Sequence, residues 1–120
     1  MDKQKIYMFL RVNGMTPAGA CGLMGNLGAE SGFLCNNVEN RCTMTDEDYT
    51  YHVDKGTIRR EQFTKDAYGY GLAQWTYFNF STGEGRKLNL YDFWKKSGKA
   101  LDDVSMQVSF ALHELTTEGQ

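Results

Sequence analysis

The sequence predicts an α+β fold that is predominantly α, with an irregular or short β middle segment. Three observations lead there. Apolar residues recur near a 3.6-residue period in both end thirds, helix start and stop signals bracket those stretches, and the span from about 31 to 69 has no sustained period. At 120 residues the chain fits one domain, residues 1–120, with 41% hydrophobic and 13% aromatic residues to build a core.

A first helix reads from Asp2 to Val12 on Ile6, Phe9 and Leu10, and Asn13-Gly14 ends it. Thr16 then caps a second helix. Pro17, the only proline, takes its first position, where a missing N–H is harmless. This helix is expected to reach Ala29 or Glu30. It carries Gly19, Gly22, Gly25 and Gly28, each unfavourable by about 1 kcal/mol relative to alanine. Such a smooth ridge implies close packing of another element, or room for a ligand. Leu23 and Leu27 mark the buried stripe, and continuing it by helical spacing reaches Glu30, an acid where a core residue is expected.

Gly32, Asn36-Asn37, Asn40 and Gly56 make the middle loop-rich, with one short helix expected from a Thr45 cap through Tyr49 to Val53. Next, Gly69 and Gly71 alternate with aromatics in Tyr68-Gly69-Tyr70-Gly71-Leu72-Ala73-Gln74-Trp75-Thr76, a turn whose backbone can approach a bound molecule or another segment. A helix from Gly85 to Lys96 presents Leu88, Leu90, Tyr91, Phe93 and Trp94 and stops at Ser97-Gly98. Asp102 or Asp103 caps a last helix with Val104, Val108, Ala111, Leu112 and Leu115 inward.

Thirteen Lys and Arg against fifteen Asp and Glu leave a net charge of −2, so no basic field exists to hold nucleic acid. No run of 18 apolar residues suggests membrane insertion, and the start Met1 to Leu10 is too short and too polar for a signal peptide. Cys21, Cys35, Cys42, His52 and His113 lack metal-ligand spacing, and no metal or cofactor is expected. Cys35 and Cys42 can close a loop in an oxidising setting or stay free. Asn79-Phe80-Ser81 matches a glycosylation sequon, without an export signal to support it.

Glu30 is the leading chemical residue. Continuation of an apolar stripe and the negative end of a helix both favour the protonated carboxyl, the form a general acid needs. A solvated glutamate at a frayed helix end is the plain alternative.

The run Gly14-Met15-Thr16-Pro17-Ala18-Gly19-Ala20-Cys21-Gly22-Leu23-Met24-Gly25-Asn26-Leu27-Gly28-Ala29-Glu30-Ser31-Gly32, followed by Gly69 to Thr76, resembles the phage tail lysozyme family. That family comprises lysozyme-like domains of phage tail lysins and endolysins. More distantly, Glu30-Ser31-Gly32 and Gly71-Leu72-Ala73-Gln74 look like motifs of goose-type lysozymes and lytic transglycosylases. The resemblance implies a lysozyme-like fold and cleavage of peptidoglycan glycan strands, with Glu30 protonating the glycosidic oxygen. A second carboxylate would position water at about 6.5–9.5 Å or attack at about 5–5.5 Å, and Asp46 ranks first for it, ahead of Asp54 and Asp66. An Asp46 that only caps a helix is an equal reading. Tyr70, Gln74 and Trp75 suit a sugar cleft, with Asn26 one turn before the acid, although Tyr70 and Trp75 are also ordinary core aromatics.

The family pattern also implies muramidase action, with glucosaminidase or lytic transglycosylase action as alternatives on the same substrate. A wall-binding tail module without turnover is the alternative of another class. Gly28 and Cys21 depart from the bulkier or simpler residues expected of relatives. The domain reads as part of a longer lysin with a wall-binding or second catalytic partner domain. It would reach the wall by the virion tail or through a pore.

Overall fold

The computed structural model describes residues 3–76, 79 and 81–118, with side chains to 115. Six helices carry the chain: α1 (Lys3–Val12), α2 (Pro17–Ser31), α3 (Asp46–Lys55), α4 (Arg60–Lys65), α5 (Arg86–Ser97) and α6 (Val104–Glu118). Among the described residues, β structure is limited to isolated antiparallel bridges, Val38 with Tyr70, Tyr70 with Trp75 and Asn79 with Glu84. The mostly helical α+β expectation therefore holds. α1 packs on α2 and α6, and α5 packs on α4 and α6.

Local signals set the ends of α2. The Thr16 hydroxyl accepts from the Gly19 N–H at 3.1 Å, and Gly32 closes the helix in the left-handed region at φ 61°. Thr45 caps α3 in the same way through the Asp48 N–H, also at 3.1 Å. Asp103 rather than Asp102 caps α6, accepting from the Met106 N–H at 2.8 Å. α4 was not expected from the sequence, because Phe63 is its only buried apolar side chain and six residues show no period.

The inner faces differ in phase from the periodic reading. On α2 the buried positions are Ala20, Leu27 and Ser31, while Leu23 is half-buried. On α6 they include Met106, Gln107, Val108 and Phe110, whereas Leu115 is 49% exposed. Gly28 is the helical glycine that packing requires, since a Cβ there would stand 2.8 Å from the Phe33 ring. Gly22 and Gly25 have no such neighbour, so the ridge as a whole does not seat another element.

Beneath this shell lies a charged cluster. Lys87 is fully buried, its Nζ donating to Asp66 Oδ1 at 2.6 Å and to the Tyr49 hydroxyl at 2.8 Å, while Tyr49 donates to Asp66. Burial holds the Lys87 ammonium below its usual range, with Asp66 opposing. The Phe63 ring centroid lies 4.3 Å from Nζ. All three cysteines are free, and burial pushes the Cys35 thiol up to about 12. The Asn79-Phe80-Ser81 match has Phe80 outside the described residues. Among the described residues no helix is long and apolar enough to cross a membrane.

Candidate active site

Leu23, Asn26 and Glu30 follow one another at spacings of three and four on α2, so one helix face presents all of them. That face forms one wall of a furrow of about 580 Å³. The opposite wall is composite. The turn contributes Ala73, α5 contributes Arg86 from its first position, and α6 contributes Glu114 and Leu115.

Glu30 is exposed, so the dry setting expected from the apolar stripe is not what the structure shows. The cause is phase: the buried face continues from Leu27 to Ser31, and Glu30 sits at its edge, turned to the furrow. Among the described residues no donor is bonded to its carboxylate, and Asn26, one turn earlier, is also exposed on the furrow wall.

Glu114 is only 8% exposed. Arg86 grips it with a fork, Nε to Oε2 at 2.9 Å and Nη2 to Oε1 at 2.8 Å. The Trp75 indole N–H donates to Oε1 at 2.8 Å. One carboxylate thus ties the turn, the start of α5 and the middle of α6 together, with the planar bidentate geometry that makes arginine the strongest partner for it. Arg86 and Glu114 were missed from sequence. The signal that singled out Glu30, an acid on an apolar helical stripe, also marks Glu114, which follows Phe110 by four and Ala111 by three.

The remaining residues expected in the cleft have other surroundings. Trp75 is fully buried and is tied to the furrow lining through its hydrogen bond to Glu114. Tyr70 is fully buried as well, its hydroxyl paired with that of Thr50, and burial raises it well above the usual phenol range. Gln74 is half-buried, and its amide donates to the Asn37 carbonyl at 2.8 Å and the Gly71 carbonyl at 3.0 Å, which closes the turn. Asp46 begins α3 and accepts from the Val38 N–H at 2.9 Å; it is not among the residues lining the furrow. Asp54 accepts from the Leu101 N–H and Asp66 belongs to the Lys87 cluster.

The glycines of the turn serve close packing inside the protein rather than approach of a ligand. Gly71 has φ 81°, and a Cβ there would stand 2.8 Å from Gln107 Oε1 and 3.1 Å from the Trp75 ring. Gln107, fully buried, accepts from the Leu72 N–H at 2.9 Å and donates to the carbonyls of Cys35 at 2.7 Å and Leu101 at 2.9 Å. No group of three or more His, Cys, Asp or Glu that could hold a metal ion stands among the described residues.

A mostly helical domain with carboxylates on both walls of one furrow has the architecture of the lysozyme-like class. The family model described as Phage tail lysozyme matches residues 2–120, and the chain belongs to that family. Membership implies a lysozyme-like enzyme acting on the peptidoglycan of the bacterial cell wall. No curated protein and no solved structure matches the chain.

Proposed function

We propose that this protein cleaves peptidoglycan glycan strands as a muramidase-type hydrolase, with Glu30 as the general acid. One observation carries the reading: Glu30 closes α2 on the furrow wall, open to a ligand and bonded to no described donor. A strand laid in the furrow would exclude water from the carboxyl group and favour its protonated form. Its proton passes to the glycosidic oxygen as the bond to the anomeric carbon breaks; water adds to that carbon and releases a proton that restores the Glu30 carboxyl group. Asn26 orients the sugar beside the acid. Glu114, held by Arg86 and Trp75, fixes the opposite wall. On this reading the protein acts at the wall during phage-mediated lysis, as part of a longer lysin.

A specific feature favours a second reading on the same substrate. Asp46 is committed to the Val38 N–H and Glu114 to Arg86 and Trp75. With both carboxylates engaged, a sugar hydroxyl can take the place of water, which is lytic transglycosylation. Product analysis of digested purified sacculi tests both. New reducing-end muramic acid supports the muramidase, new reducing-end glucosamine a glucosaminidase, and anhydro-muramic ends the transglycosylase. Binding to sacculi with no new ends would leave a wall-binding module.

A further inference from the structure

A second concavity of about 300 Å³ lies between α5 and α6, lined by Asn89, Asp92, Phe93 and Lys96 of α5 and by His113 of α6. Glu114 is in its wall and in that of the furrow, so the two concavities adjoin at one residue. We propose that this concavity is a second sugar-binding subsite, taking a residue of the glycan strand beyond those held in the furrow. The inference rests on the reading of the furrow as a glycan site.

Its chemistry fits a pyranose. The rings of Phe93 and His113 are 5.8 Å apart and inclined by 34°, and Phe110, also in the lining, lies 5.3 Å from Phe93, giving an aromatic surface for the apolar face of a sugar. The exposed Asn89 amide both donates and accepts, as hydroxyl and acetamido groups require. The rim is held in place, because Arg60 of α4 grips Asp92 through two hydrogen bonds of 3.0 and 3.1 Å. The volume stands at the lower end of the range of about 300–1,000 Å³ for small-molecule sites, which suits one ring rather than several. Binding energy gathered away from the reacting bond is what lets an enzyme hold a polymer in register for cleavage.

Asn89 has an exposed side chain, so Asn89→Ala should keep the wild-type melting temperature, whereas His113→Ala gives up ring contacts with Phe93 and Phe110 and should lower it slightly. Each is made in a Glu30→Gln background, where the strand should be bound but cleaved far more slowly, and titrated with long peptide-free glycan strands and with a tetrasaccharide fragment. The subsite predicts about tenfold weaker binding of the long strands and unchanged binding of the tetrasaccharide. Long-strand affinity within twofold of the Glu30→Gln parent overturns it, as does weakening seen only with strands that carry peptide stems. Because the readout is binding, a weakened long-strand affinity upholds the subsite even if wild-type protein releases no products, and unchanged affinity leaves the cleavage reading standing.

Discussion

On the α2 wall of the furrow Glu30 is exposed and bonded to no described donor, and elsewhere on the same helix a Cβ at Gly22 or Gly25 would meet nothing within 4 Å. On the facing wall Glu114 receives an arginine fork and an indole N–H, above a turn threaded between Gln107 and Trp75. The contrast separates two tasks. On the proposed reading, the group that would meet a substrate is left uncommitted, whereas the wall that would hold the substrate is fixed by buried polar bonds whose loss leaves partners stranded.

Substitutions on the two walls should therefore differ in size and even in sign. Gly71→Ala breaks the fixed wall most severely, since the left-handed backbone and the contact with Gln107 both oppose a methyl group. A loss of about 2–4 kcal/mol is expected in chemical denaturation. Glu114→Gln keeps an acceptor for Trp75 but loses the ion pair with Arg86. Because Arg86 is 43% exposed in its side chain, the loss should be smaller, about 1–3 kcal/mol.

Much of the helical frame was legible because its signals are local. Thr16, Pro17 and Gly32 bound α2, and Gly98 stops α5, each within one turn of the backbone it governs. The site was legible only in part. Glu30 stands out through its motif and an apolar stripe, yet the stripe is one residue out of phase, which turns the buried acid expected into an exposed one. Tyr70 and Trp75 looked like sugar-stacking rings because their true partners, Thr50 and Glu114, lie 20 and 39 residues away. Lys87 reads as a surface residue until Asp66, 21 residues earlier, is brought beneath it. Pattern reading sees neighbours along a helix and not those across the core.

Away from both walls, Asp103→Ala removes the cap of α6, an effect of about 1 kcal/mol at neutral pH. Burial raises the Asp103 carboxyl, but the Ser105 hydroxyl and the Met106 N–H outweigh it and the group ends below its usual range. A carboxylate lowered by folding stabilises the protein above its unfolded value of about 3.9, and that contribution disappears as the pH falls through the lower folded value. Denaturation curves of Asp103→Ala and wild type should accordingly converge in strong acid. The smallest effect has the opposite sign: Gly22→Ala and Gly25→Ala, at open positions of α2, should each stabilise by about 0.5–1 kcal/mol, read as a higher melting temperature.

The assignment of the uncommitted carboxyl as the acid is tested most directly by Glu30→Gln. The exposed site predicts an unchanged melting temperature and retained binding to sacculi, with product release slowed by about 10²–10⁴-fold, the usual contribution of a general acid. Release of new glycan ends at the wild-type rate by the folded variant would contradict it.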